Sequence, residues 1–277
     1  MLIDTHQHFW HYNREEYGWI DERMKILQRD YLPEELHGLM QSRHVTATVA
    51  VQARQSLEET EWLLHLSEKH PWIQGVVGWV DLRDEKSAVL LERYSQHPKF
   101  VGVRHVVQDE PDDNFLLRED FCRGISYLKQ YNLTYDLLIF PRHLPVAQEL
   151  VRRFPEQPFV VDHLAKPLIR EKELSPWAED MKELAQYPNV FCKISGMVTE
   201  ADWTRWKPED FTPCMETILN AFGVERIMLG SDYPVCTVAA SYEQVWDINL
   251  RFIESLTAEE RKKIRAENAI RFYNLNR

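Results

Sequence analysis

The sequence predicts an α/β fold, a closed (β/α)8 TIM barrel, and three observations predict it. Short apolar segments alternate with amphipathic segments along the whole chain, in eight units of about 35 residues each, which is the scale of such a barrel. The apolar segments are apolar almost throughout, as parallel strands covered on both faces are. The turn after the first of them, His6-Gln7-His8-Phe9-Trp10, has no glycine, whereas an open doubly wound sheet usually cradles phosphate there with a glycine-rich turn.

The first strand lies at Leu2 to His8, apolar at its start and polar at its end. An aromatic, polar loop follows, from Phe9 to Asp30. Pro33 to His44 reads as a helix with proline in its first turn. Val45 to Ala53 is a β-branched run and the second strand. Ser56-Leu57-Glu58-Glu59 has the form of a capping box and opens a helix to about Lys69. Further strands are expected at Ile73 to Asp81, Phe100 to Val107, Thr134 to Phe140, Phe159 to His163, Val190 to Gly196 and Arg226 to Asp232. Helices are expected between them at Ser87 to Gln96, Phe121 to Tyr131, Leu144 to Phe154, Trp177 to Tyr187 and Cys214 to Phe222. A helix at Ser241 to Ser255 and a last one opening with Thr257-Ala258-Glu259-Glu260 complete the set. No linker rich in Gly, Ser or Pro divides the chain, so residues 1–277 are expected to form one barrel domain.

Composition narrows the function classes. With 44% hydrophobic residues in 277, the chain can bury a large core. Its net charge of −11 argues against polyanionic partners, so neither nucleic acid nor an anionic membrane is expected. No apolar run reaches the roughly 18 residues that span a bilayer. The start of the chain has no basic-then-apolar signal segment. Cys122, Cys192, Cys214 and Cys236 are widely spaced and read as free thiols of a reducing compartment. A cytoplasmic protein with a small-molecule substrate is expected; the sequence leaves the oligomeric state open, a homo-oligomer included.

In such a barrel the active site lies at the C-terminal ends of the strands. Residues two apart in a strand share a face, so His6 and His8 stand side by side. Gln52 ends the second strand, with Arg54 just beyond; Arg104 and His105 end the fourth, Asp162-His163 the sixth, and Gly230-Ser231-Asp232-Tyr233-Pro234 the eighth. Closure brings the eighth strand beside the first, so Asp232 faces the histidine pair. Three neutral imidazoles and one aspartate (His6, His8, His163 and Asp232) suit a single divalent ion, Zn²⁺ above all, with a position left for water. Without metal the same set still works: Asp232 activates water as general base and the histidines stabilise an oxyanion. Either route hydrolyses an electrophilic carbonyl.

Plainer readings stand beside these. Asp4 reads as a structural hydrogen-bonding group. Asp162 precedes His163 and is expected to face the other way. His105 and Arg104 have opposite parity, so only one of them points fully inward. His44, His65, His70 and His97 lie in or at the ends of helices and read as solvated. Trp10, Trp79, Trp177 and Trp203 read either as pocket walls or as packing. No GxSxG nucleophile motif occurs, and Cys236 is the cysteine nearest a strand end.

Taken together, His6-Gln7-His8, Val103-Arg104-His105, Asp162-His163-Leu164-Ala165-Lys166-Pro167, Lys193-Ile194-Ser195-Gly196 and Gly230-Ser231-Asp232-Tyr233-Pro234 resemble the amidohydrolase superfamily. Within it they resemble the sugar-lactonase branch of L-fuconolactone and L-rhamnonolactone hydrolases. The resemblance spans essentially the whole chain. It implies that His6, His8, His163 and Asp232 form the active site, with Asp232 as base for the attacking water and Arg104 against substrate oxygens. Arg104-His105 stands where binuclear members carry a carboxylated lysine, which speaks against a two-metal centre; the branch includes members with and without a metal. An aldonolactone suits hydrogen-bonding groups such as Gln52, Arg104, His11, His105 and Tyr233. A dicarboxylate lactone suits several arginines, with Arg54, Arg104 and Arg142 near strand ends. The expected activity is hydrolysis of a sugar-acid lactone. The alternatives are a dicarboxylate-lactone hydrolase, an amidohydrolase-type decarboxylase of a small acid, and a non-catalytic binding barrel.

Overall fold

The computed structural model describes residues 1–275. Eight parallel strands form one sheet in sequence order: β1 (Ile3–Gln7), β2 (Ala47–Val51), β3 (Ile73–Gly78), β4 (Phe100–His105), β5 (Thr134–Leu137), β6 (Phe159–Val161), β7 (Val190–Ile194) and β8 (Ile227–Leu229). The order is that of a (β/α)8 barrel. Strands β1 and β8 join at their C-terminal ends. The Asp232 amide donates to the His6 carbonyl at 2.8 Å and the His8 amide to the Tyr233 carbonyl at 2.7 Å. Just below, the Thr5 hydroxyl donates to the Leu229 carbonyl at 2.8 Å. The seam therefore runs through the segments that carry His6, His8 and Asp232.

The outer layer is α1 (Pro33–Ser42), α2 (Leu57–Lys69), α3 (Ser87–Ser95), α4 (Glu119–Leu128), α5 (Leu144–Arg153), α6 (Trp177–Leu184), α7 (Pro208–Phe222) and α8 (Tyr242–Phe252). The chain ends in α9 (Ala258–Lys262), a π turn over Lys263–Glu267, and α10 (Asn268–Tyr273). Alternation along the strands makes two cores. Leu2, Val76, Val103, Tyr135 and Phe159 pack outward against the helices. Ile3, Val49, Val51, Val77, Val101, Val160 and Met228 pack inward, where Ala269, Phe272 and Tyr273 of α10 close the N-terminal end of the barrel. No helix among the described residues is long and apolar enough to cross a membrane.

Three local expectations change. The Ser56 hydroxyl caps α2 through the Glu59 amide, but Glu59 does not return the bond to Ser56. Its carboxylate accepts instead from the amides of Ala53 and Arg54, at 2.9 and 3.0 Å, and so pins the turn after β2. The helix read as starting at Cys214 starts at Pro208, because proline is well suited to a first turn and Pro213 is tolerated inside. Lys129–Tyr131 is a tight turn after α4, ended by Asn132 in the left-handed region. The loop from Phe9 folds back over the barrel mouth and is tied down by paired backbone bonds between Trp10 and Tyr31.

Candidate active site

A cavity of about 830 Å³ opens at the C-terminal ends of the strands, with His8, Arg104, His163, Lys166, Glu200 and Asp232 among its lining. His6 and His8 project to the same side of β1 and its extension, and their Nε2 atoms are 3.2 Å apart. Asp232 follows β8 in a left-handed conformation, φ +57°, which turns its carboxylate back over the mouth. Its Oδ1 lies 3.4 Å from His8 Nε2, 3.8 Å from His163 Nε2 and 3.9 Å from His6 Nε2. His163 packs against Gly196, where any Cβ would come within 2.5 Å of the imidazole, so only glycine leaves room for the ring. The Ser195 hydroxyl meets His163 Nδ1 at 2.9 Å.

Beneath these groups lies an enclosed set of charges. Arg104 Nη1 donates to Asp162 Oδ2 at 3.0 Å and to His6 Nε2 at 3.1 Å. Lys193 Nζ reaches Asp136 at 2.5 Å and Asp162 at 2.9 Å, and lies 3.1 Å from His6 Nδ1. The Tyr273 hydroxyl, from α10, donates to Asp136 at 2.9 Å. Arg104, Asp136, Asp162 and Lys193 are all buried.

Burial sets the protonation states. It pushes the His6 imidazole well below its ordinary range and His163 down to about 4, so both rings are neutral near pH 7. Burial opposes ionisation of Asp162, but the ammonium of Lys193 and the cationic groups around it outweigh burial and hold its carboxyl well below the usual range. Asp232 follows the same pattern, with His163, His8 and Lys166 outweighing burial and lowering its carboxyl.

Arg104 and Lys193 only donate, and each lies 3.1 Å from one ring nitrogen of His6, Nε2 and Nδ1 respectively, with Asp162 Oδ1 3.3 Å from Nδ1. His8 Nδ1 faces the Val51 carbonyl at 2.8 Å, so it carries the proton and Nε2 is free. The Nε2 atoms of His6 and His8 face each other across 3.2 Å with a carboxylate oxygen of Asp232 beside them. That donor set fits a cation or a proton between them, and the ligand atoms of His6, His8 and Asp232 all lie within 4.8 Å of one another.

The amidohydrolase family model matches residues 3–275. The chain belongs to the amidohydrolase family. It is 42% identical to an L-fucono-1,5-lactonase of Burkholderia multivorans, over 99% of this chain and 96% of that one. It is 33% identical to an L-fucono-1,5-lactonase of Burkholderia ambifaria, with the same two shares covered. The crystal structure of an amidohydrolase from Burkholderia multivorans with bound Zn superimposes with a TM-score of 0.95 at 41% identity, covering 99% of both chains.

Within this amidohydrolase barrel, three expected contacts fall elsewhere, and one residue expected to face away points in. Gln52 does not line the cavity; its side-chain and backbone oxygens accept from Arg104 Nη2 and hold the guanidinium in place. His105 points out of the barrel, as its parity against Arg104 allows. It lies between Trp79 Nε1 at 3.3 Å and Glu110 at 2.6 Å, stacked on Phe115. Tyr233 is buried away from the cavity and donates to Glu35 on α1 at 2.7 Å. Asp162, expected to face outward, points inward beside His6. Val160 faces inward, so Asp162, two residues on, shares its side; His163 reaches the same side because the residues from His163 to Lys166 form a turn with left-handed φ angles, where strand alternation no longer holds.

Asp4 has the structural place expected of it: it accepts from the Ser231 amide and hydroxyl and holds the turn after β8. Arg54 lines the mouth, paired with Glu16 at 2.7 Å, while Arg142 pairs with Asp113 away from it. Of the tryptophans, Trp203 lines the cavity together with Trp19, whereas Trp10 and Trp177 are core residues. Lys193, Asp136, Lys166 and Glu200 were not among the expected site residues. A charged residue inside an otherwise apolar strand, as in Val-Phe-Cys-Lys-Ile and Thr-Tyr-Asp-Leu, was the signal for the first two.

Proposed function

We propose that this amidohydrolase opens a neutral sugar lactone of the L-fucono-1,5-lactone kind to the free acid, with water activated by Asp232. One observation carries the reading: an ionised carboxylate oxygen is ringed by three imidazoles within 3.9 Å, at the floor of a cavity large enough for a sugar ring. The two curated relatives named for this reaction, at 42% and 33% identity over nearly the whole chain, support the substrate class.

Asp232 takes a proton from water as its oxygen attacks the lactone carbonyl carbon, the work of a general base. With Ser195 donating to Nδ1, His163 presents Nε2–H to the carbonyl oxygen as negative charge develops there. Arg104, fixed by Asp162 and Gln52, adds a stationary positive charge beside the same oxygen. Collapse of the tetrahedral adduct breaks the bond between the acyl carbon and the ring oxygen. The proton held by Asp232 passes to that oxygen, leaving a hydroxy acid. His6, His8 and Asp232 are the residues that would hold one divalent ion, with Zn²⁺ favoured by the zinc-bound relative. Such an ion, when bound, polarises the carbonyl and acidifies water.

The test is proton release followed with a pH indicator, on L-fucono-1,5-lactone and a panel of other aldonolactones and dicarboxylate lactones. It is run on the enzyme as purified, after chelation, and after zinc is restored. Turnover of neutral aldonolactones above the spontaneous rate is expected. Turnover confined to dicarboxylate lactones, or carbon dioxide release from an aromatic acid in its place, would overturn the reading. The chelation arms show whether zinc contributes to the rate.

A further inference from the structure

His163, Leu164, Ala165 and Lys166 have φ of +53°, +55°, +56° and +54°. A left-handed conformation costs a non-glycine residue about 1–2 kcal/mol, so four in succession are held there by their surroundings. The turn is closed by the Lys166 amide donating to the His163 carbonyl at 2.7 Å. It is braced from behind by Trp177 Nε1 on the Leu164 carbonyl, also at 2.7 Å. Residues three apart eclipse in a turn of this tightness. The turn thus delivers two side chains, His163 and Lys166, to the same cavity.

Opposite Lys166 stands Glu200, the last residue of a short turn after β7. Its carboxylate is 3.8 Å from the ammonium, longer than a hydrogen bond. Among the described residues, Lys166 Nζ has no hydrogen-bond acceptor, and Glu200 has only the Thr199 hydroxyl at 3.5 Å. Other charged groups of the lining are already paired: Arg54 with Glu16 at 2.7 Å, Arg23 with Asp21 at 2.7 Å and Glu110 with His105 at 2.6 Å. The unused bonding capacity beside Asp232 thus lies with Lys166 and Glu200, with Trp203 in the same lining, its Nε1 tied to the Thr199 carbonyl at 2.8 Å.

We propose that Lys166 and Glu200 form the hydroxyl-reading subsite of this enzyme, taking one hydroxyl or two adjacent hydroxyls of the lactone ring between them; this rests on the lactone-hydrolase reading above. An ammonium only donates and a carboxylate only accepts. A hydroxyl does both, so it satisfies the two groups together: its hydrogen goes to Glu200 and its lone pair receives from Lys166. A carboxylate substituent would satisfy Lys166 but face Glu200 with like charge. A methylene satisfies neither. Burial and the Asp232 charge already raise the Glu200 carboxyl above its usual range, so a further anion is unwelcome there. The pair therefore selects neutral polyol lactones over dicarboxylate lactones.

The experiment compares kcat/KM for L-fucono-1,5-lactone and its 2-, 3- and 4-deoxy analogues, in the wild type, Lys166→Met and Glu200→Gln. A hydroxyl seated between two charged partners accounts for about 10- to 100-fold. At least one deoxy analogue is therefore expected to fall by that factor in the wild type, and the ratio is expected to shrink toward one in both variants. Thermal unfolding of each variant checks that it is folded. An unchanged ratio in both variants, with the wild type active, would overturn the subsite and leave the hydrolase reading intact. A wild type inactive on all four lactones would overturn both.

Discussion

At the floor of the cavity Arg104, Asp162, Lys193 and Asp136 meet at 2.5 to 3.0 Å, closed off from water. At the rim Lys166 and Glu200 stand 3.8 Å apart with part of each side chain still exposed. Two acids and two bases balance at the floor, one of each at the rim, so charge count does not separate the two regions. Pairing does. Floor charges are bonded to one another and to Gln52 and Tyr273, with His6 held among them. Rim charges stand beyond hydrogen-bond distance of each other. A charge tied to fixed partners positions other groups, whereas a charge left open recognises a substrate.

Breaking the floor is expected to have the largest effect. Lys193→Met leaves Asp136 and Asp162 facing each other without their common cation, and removing one partner of such a buried set costs about 3–5 kcal/mol. Urea unfolding measures it; a loss below about 1 kcal/mol, the scale of an exposed pair, would erase the contrast between floor and rim. Zinc at about 100 times its dissociation constant is expected to stabilise the fold by about 2.7 kcal/mol. That gain should vanish in His8→Ala, read as a shift in melting temperature, and a gain that survived would place the ion elsewhere. Gly196→Ala combines a contact of 2.5 Å to the His163 ring with φ of +62°, for a backbone cost of about 1–2 kcal/mol. Displacement of the imidazole should lower kcat by more than that stability loss implies, and an unaltered kcat would mean that the ring position is not critical. Lys166→Met is expected to change stability least, by less than about 1 kcal/mol, since the pair stands 3.8 Å apart and Glu200 keeps part of its side chain exposed; a larger loss would put Lys166 with the floor.

The barrel was legible because strand and helix periodicities act locally, and the eight apolar runs fall where the strands are. His6, His8, His163 and Asp232 were legible as strand-end polar residues, which closure of the barrel brings together whatever their exact φ angles. Strand parity showed that only one of Arg104 and His105 points inward, but both stayed among the expected substrate contacts, and the structure turns His105 outward. The phase was misread at Asp162, which shares the inward side of Val160; His163 joins it only because a left-handed turn does not alternate. Tyr233 and Gln52 look like ligand-facing groups from their positions, but their partners, Glu35 and Arg104, come from distant parts of the chain. The same distance hid the rim: Lys166 and Glu200 are 34 positions apart in sequence and meet only because two irregular turns lean over the same mouth.

The most direct measurement is the turnover of Asp232→Asn against the wild type on L-fucono-1,5-lactone, with melting temperatures taken on the same samples. The substitution keeps the shape of the side chain and removes its basicity. A folded variant with kcat lowered by about 10²- to 10⁴-fold is the expected result. A folded variant that turns over the lactone at the wild-type rate would contradict the role of Asp232 as the base that activates water.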